Sequence, residues 1–266
     1  LRLYRYWCRE PAQITIAGQP RTISTYGRSN VSEDDARRDA RERARRVEQK
    51  IAGEKVAKED YAADIREETV REIDAKNVVT RNRYGALVLN SESLVIVDID
   101  THRKTFLESL GFGKRDNKAA IIADIEKVSA DPAFGDAGFR IYETGKGIRL
   151  IVTGLYFDPA DGPGIAFLQR CNADKLYAKL CIRQKCYRAR LTPKPHRIKQ
   201  ARFTYRWPMD AQQYEEARAW VGEYDSRSEA FATCRFVKAL GKQHMAGDAL
   251  AFHDEATKAR SQLALA

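Results

Sequence analysis

Apolar and polar positions recur with two different periods along this chain, and each change of period marks an element. Two β-like runs, Arg5-Tyr-Trp-Cys-Arg and Gln13-Ile-Thr-Ile, are followed by a third, Arg21-Thr-Ile-Ser-Thr-Tyr, with Gly18-Gln-Pro as the turn between the last two. Ser32-Glu-Asp-Asp35 has the form of a capping box and opens a helix that runs to about Ala52. Its apolar positions are mostly alanine, with Val47 and Ile51 near the end, so it packs through a thin stripe; no heptad of large residues supports a coiled coil. Gly53 interrupts, and 61–73 reads as a second helix.

From Asn77 the pattern turns to strands: Val78-Val-Thr, Gly85-Ala-Leu-Val-Leu-Asn, then Leu94-Val-Ile-Val-Asp98-Ile-Asp100, with Asn90-Ser-Glu-Ser turning into the last. That last run lacks polar alternation, which predicts a central strand covered on both faces. A helix over 117–128 follows from Ala119, Ile121, Ile122 and Ile125; strands follow at 139–143 and 148–153, then a Gly, Pro and Asp loop at 158–164. Residues 165–183 read as one helix, and 187–191 and 203–207 as strands. Beyond Pro208 the chain reads as helical to its end, near 210–223, 227–240 and 247–262, with Phe231, Cys234, Val237 and Leu240 on one apolar face.

The expected fold is therefore α+β, a mostly antiparallel sheet with helices on one face, long N-terminal helices and a helical C-terminal segment. It divides into an N-terminal hairpin and helices of the same module (1–76), an α/β core (77–207) and the C-terminal helices (208–266). The helices at either end offer surfaces for a partner protein.

Charge sharpens this picture. Lysine and arginine exceed aspartate and glutamate by 47 to 37, and the excess is concentrated: between Lys175 and Arg206 there are eleven basic residues and no acidic one. Tyr187, Phe203, Tyr205 and Trp207 interleave with them, which favours a polyanion over a merely solvated face, because phosphates pair with cations and bases stack on aromatics. No run approaches the roughly 18 apolar residues of a membrane span. Five cysteines in 266 residues do not form a disulfide framework, and the simplest setting is a reducing cytoplasm.

The candidate chemistry starts at Asp98 and Asp100. Two carboxylates two residues apart on a strand share a face, and at the end of a buried run they repel unless a cation, an arginine or a proton intervenes. The bland alternative is a strand end where Asp favours a turn. His102 keeps the same parity and is a candidate third ligand. Glu143-Thr-Gly145-Lys146-Gly147-Ile-Arg149 reads as a turn between two strands that presents amides, Lys146 and Arg149 to a phosphate; its bland reading is a hairpin that needs glycine for positive φ. Around Thr192-Pro-Lys194-Pro-His196, an extended loop, Arg188, Arg190, Lys194 and Arg197 supply cations for a nucleic-acid strand. Cys171, Cys181, Cys186 and His196 are a candidate zinc set whose spacing matches no common finger. No nucleophile elbow, Walker loop, Cys-x-x-Cys or His-Glu-x-x-His is present.

In order, Val97-Asp98-Ile-Asp100, Thr144-Gly145-Lys146-Gly147-Ile148-Arg149, Asp174 in Ala173-Asp-Lys-Leu-Tyr, and Arg190-Leu-Thr-Pro193-Lys resemble the motifs of the archaeo-eukaryotic primase and primase-polymerase catalytic core, over about residues 78–206. The resemblance implies an RRM-like palm in which Asp98, Asp100 and Asp174 coordinate two Mg²⁺ or Mn²⁺ ions, while Lys146, Arg149 and Arg190 hold phosphates. It implies a metal-dependent nucleotidyltransferase with nucleic acid and nucleotides as partners. Arg149 stands where the family carries histidine; it can hold a phosphate but cannot shuttle protons near neutral pH. Two other readings stay open: a non-catalytic nucleic-acid-binding module, and a metal-dependent nuclease using Asp98, Asp100 and His102.

Overall fold

The computed structural model describes residues 1–55, 63–101 and 117–266. His102 lies outside them. The fold is mixed α and β with antiparallel sheets: a β-hairpin with a helix on it, two four-stranded sheets, and six α-helices among the described residues.

The hairpin pairs β1 (Tyr6–Ile16) with β2 (Gln19–Ser29), and the two runs seen in the sequence form one strand through Pro11, tolerated because a two-stranded ribbon is all edge. Ala17 and Gly18 both take positive φ, 49° and 76°, which matches the twist of a two-residue hairpin turn. Helix α1 (Glu33–Ile51) is capped as expected, the Ser32 side chain accepting from the Asp35 N–H at 3.1 Å. Its buried alanines, Ala36, Ala40 and Ala44, lie against the hairpin, where a Cβ on Gly27 would collide with the helix backbone.

The expected helix over 61–73 is overturned for its described part. Residues Glu68–Asp74 form β3, which pairs with β4 (Asn77–Arg81). Its Thr69, Val70 and Ile73 are strand formers, and the turn at Ala75-Lys76 joins it to a strong neighbour; pairing overrides a helical charge pattern. β4 pairs with β5 (Leu87–Ser91), and β5 with β9 (Tyr187–Arg190), giving the order β3-β4-β5-β9.

The second sheet has the order β11-β7-β8-β6, all antiparallel, from β6 (Val95–Asp100), β7 (Gly138–Thr144), β8 (Gly147–Thr153) and β11 (Cys234–Gly241). β6 is buried as expected, but it is an edge strand rather than a central one. Its outward carbonyls are taken by the next layer: the Tyr177 hydroxyl donates to Ile96 O at 2.6 Å, and the Asp174 N–H to Asp98 O at 2.9 Å. β11 corrects the helix expected over 227–240. Phe236, which the helical reading left off the apolar face, pairs with Tyr142 in the sheet, and Val237 sits at a bulge. β10 (Phe231–Ala232) pairs with β12 (Ala264–Leu265) in parallel.

Helices cover both faces of this sheet, not one. Successive side chains of β7 show it: Lys118 of α2 (Asn117–Ser129) donates to Glu143, whereas the Tyr142 hydroxyl donates to Asp254 of α6 (Asp248–Ala256). The single helix expected over 165–183 is two, α3 (Gly162–Arg170) and α4 (Lys175–Gln184), each started by an aspartate cap, Asp161 and Asp174. No strand forms at 203–207; that segment runs irregularly under α5 (Ala211–Ser228), with Phe203 against Trp220 at 4.8 Å between ring centroids. No helix among the described residues is long and apolar enough to cross a membrane.

Candidate functional site

Register explains how the site is assembled. Across the sheet Phe236, Tyr142, Arg149 and Asp98 are directly opposed on β11, β7, β8 and β6, so they form one row on one face. Arg149 is 1% exposed, and its guanidinium is fully engaged: Nε donates to Asp98 Oδ1 at 2.7 Å, Nη2 to Asp98 Oδ2 at 3.1 Å, and Nη1 to the carbonyl of Arg190 at 2.9 Å. Burial alone would lower this guanidinium, but the Asp98 carboxylate outweighs it and the net shift is upward. Arg149 thus orients Asp98 instead of waiting for a phosphate.

Behind Arg149 stands a pair that the sequence suggests only as part of a packing C-terminal helix. His253 is fully buried, with Nε2 3.3 Å from Arg149 Nη1 and Nδ1 3.0 Å from Asp254 Oδ1. Burial holds the imidazole below its usual range, opposed by the hydrogen bond to Asp254 and reinforced by Arg149. A neutral ring with its proton on Nδ1 satisfies both contacts, accepting from Arg149 and donating to Asp254. Asp254 also receives Tyr142 at 2.7 Å and Arg140 at 2.8 Å. His253-Asp-Glu in the sequence resembles any helical surface; only the fold turns it inward.

The carboxylates do converge. Asp100 opposes Gly147 across β6 and β8, and Asp174 reaches the edge of β6 through its backbone while its side chain caps α4, accepting from the Tyr177 N–H at 2.8 Å. The side chain of Asp174 caps α4, and its charge also acts on Asp100. Burial, then Asp174, then Asp98 push the Asp100 carboxyl above the ordinary range, against the pull of Lys194 and Lys146. The cations are perturbed in the opposite sense. Arg190 is drawn down to about 10 by burial and then by Arg149, and Lys194 is lowered by burial and then by Arg190 and Arg197. Arg190 Nε is buried with no hydrogen-bond partner among the described residues.

The glycine turn is built for close approach, not for positive φ. Neither Gly145 nor Gly147 has positive φ. A Cβ on Gly147 would collide with the Ile99 carbonyl oxygen and come within 3.0 Å of Asp100 Cα, and one on Gly145 would lie 2.8 Å from Arg197 Nη1. The Lys146 carbonyl accepts from Thr101 N–H at 3.0 Å. The turn is thereby pinned between the carboxylate strand and the short 3₁₀ turn Pro195–Ile198 that carries His196 and Arg197.

Among the described residues no group of three or more His, Cys, Asp or Glu side chains is arranged to hold a metal ion. For the carboxylates the reason is visible, since Arg149 occupies both oxygens of Asp98. Cys171, Cys181, Cys186 and His196 do not form a ligand set. The three thiols are buried, and burial pushes them up to about 12, 11 and 12, which disfavours the thiolate a metal requires.

A groove of about 1640 Å³ runs past Asp98, Arg190 and Lys194 toward β2 and α1. No protein-family model, no curated protein and no solved structure matches this chain.

Proposed function

We propose that this chain is a divergent nucleotidyltransferase of the primase-polymerase type, acting on nucleic acid with nucleotides and Mg²⁺ or Mn²⁺. One observation carries the reading: a carboxylate, Asp100, and cations, Arg190 and Lys194, lie near one another, yet neither is neutralised by a direct ion pair. Asp174 and Asp98 add to the burial that raises the proton affinity of Asp100, while Arg190 and Arg197 oppose the charge of Lys194 and Arg190 keeps an unused buried donor. Direct pairing neutralises Asp98 but not Asp100, Arg190 or Lys194. A divalent cation bound to a polyphosphate neutralises both at once, the cation at the carboxylates and the phosphates at the basic residues. Asp100, with Asp174, would hold the cation, which supplies charge neutralisation at the reacting phosphate; Lys146, Arg190 and Lys194 would hold the phosphates; Arg149 keeps Asp98 in place. The palm of such an enzyme is the RRM-like arrangement that the motif order implies.

A second reading has its own support. Because Arg149 already claims both Asp98 oxygens, a protein that binds nucleic acid without turning it over fits the same site. The deciding experiment incubates labelled primer-template and unprimed single strands with nucleotides and Mg²⁺ or Mn²⁺, resolved on a denaturing gel beside Asp100→Ala. Extension or new synthesis lost in the variant supports the enzyme. Metal-dependent shortening makes it a nuclease. Salt-sensitive retention of strands with no change of length makes it a binding module.

A further inference from the structure

The groove continues well beyond the carboxylates, onto the N-terminal hairpin and helix that the motif resemblance does not cover. Its volume of about 1640 Å³ exceeds the roughly 300–1,000 Å³ that suits one small ligand, so a single nucleotide leaves much of it empty. Its lining counts eleven lysines and arginines against four acids, and each of those acids already faces an arginine: Asp64 with Arg2, Glu67 with Arg188, Glu68 with Arg81 and Asp98 with Arg149. The remaining charge is positive.

The α1 side of the groove is a helical stripe. Arg43, Arg46, Val47 and Lys50 recur at spacings of three and four beside the alanines that bury against the hairpin, and all four line the groove; Arg43 pairs with Asp39 and Arg46 with Glu42 on the same helix. Beside them Arg66 stacks on Tyr26, its guanidinium 3.7 Å from the ring centroid. The other contributors are aromatic as well as basic: Tyr84, 52% exposed, lines the groove with Tyr205 and Trp207. Exposed rings among cations serve unpaired bases, which a duplex hides.

We propose that the hairpin and α1 form a strand-holding surface, so that a single-stranded nucleic acid several nucleotides long occupies the groove from Arg190 and Lys194 to Arg46 and Lys50. This rests on the nucleic-acid reading above but not on catalysis. The test is fluorescence anisotropy, without divalent ions or free nucleotides, using a dinucleotide, a single strand of about twelve nucleotides and the matching duplex. DNA and RNA strands are both used, because phosphate and base chemistry is shared.

In Arg46→Ala/Lys50→Ala the long strand should bind roughly tenfold more weakly, the contribution of two exposed ion pairs. The slope of log affinity against log salt should fall by about 1.4, and dinucleotide binding should not change. The charge-conserving Arg46→Lys/Lys50→Arg should restore long-strand binding, which separates charge from folding. Equal effects on the dinucleotide and the long strand, or no effect on either, would overturn the α1 surface while leaving the extension assay to judge the enzyme. A duplex that binds as tightly as the single strand would overturn the choice of ligand. Length-selective loss in a protein that extends nothing would uphold the surface and sink the nucleotidyltransferase.

Discussion

Replacing Asp98 and replacing Asp100 should have unequal consequences for stability, although the two residues are neighbours in one motif. Asp98 is the counter-charge of a guanidinium that is 1% exposed, and its own side chain is 31% exposed. Asp98→Ala strands that guanidinium in the core with only the Arg190 carbonyl and a neutral His253 as acceptors. Breaking a buried pair by removing one partner costs 3–5 kcal/mol; water reaching one side of Asp98 puts this case at the lower end, about 3 kcal/mol. For a chain of this size that lowers the melting midpoint by roughly 6–12 °C. Asp100→Ala removes a carboxylate that its neighbours repel and should leave the midpoint within about 0.5 kcal/mol of wild type, on the stabilised side if at all. Thermal and urea denaturation followed by circular dichroism reads both. Equal stability of the two variants would refute the claim that Arg149 holds Asp98 as a structural pair. The same reasoning makes Asp100→Ala, and not Asp98→Ala, the variant in which lost activity reports on chemistry instead of folding.

Three further outcomes follow from the geometry. Because the Asp100 carboxyl is raised in the fold, the native state binds its proton more tightly than the unfolded chain; that contribution is present below about pH 3.9 and is lost as pH rises through the raised value. Asp100→Asn should therefore match wild type in acid and become the more stable protein toward neutrality, and the opposite pH trend in urea midpoints would contradict the crowding of the three carboxylates. Inorganic triphosphate should raise the melting midpoint, by about 2.7 kcal/mol of stabilisation at a hundredfold excess over its dissociation constant, and Arg190→Ala or Lys194→Ala should abolish the rise; a rise that persists in both would place the anion elsewhere. Gly147→Ala should destabilise severely, because its Cβ meets backbone that cannot move without parting β6 from β8, whereas Gly18→Ala, with open space around it, should cost only the strain of its positive φ. Comparable losses in the two variants by denaturation would argue against close approach as the reason for Gly147.

What could be read in the chain divides along physical lines. Runs whose pattern is local and strong, such as the capped helix from Ser32, the hairpin turn at Gly18 and the apolar strands at 94–100, 139–143 and 148–153, need little context, and they form as expected. The elements that sequence misread were those where partners decide. Residues 68–73 carry enough Glu and Arg to pass for a helix, and 234–241 has apolar spacing that serves either period; each became a strand because an unpaired neighbour, β4 or β7, was there to pair with it. That Asp98 and Asp100 share one face of a strand follows from their spacing, whereas the approach of Asp174, Lys146 and Lys194 to Asp100 depends on how distant segments pack. Residue type and parity determine that a carboxylate strand and a basic turn are present in this protein, because those are properties of a few consecutive residues. Only the tertiary structure determines that Arg149 faces Asp98 across two strands, that His253 backs it from a distant helix, and that α1 shares a groove with Arg190, since each depends on register and packing between segments far apart in the chain.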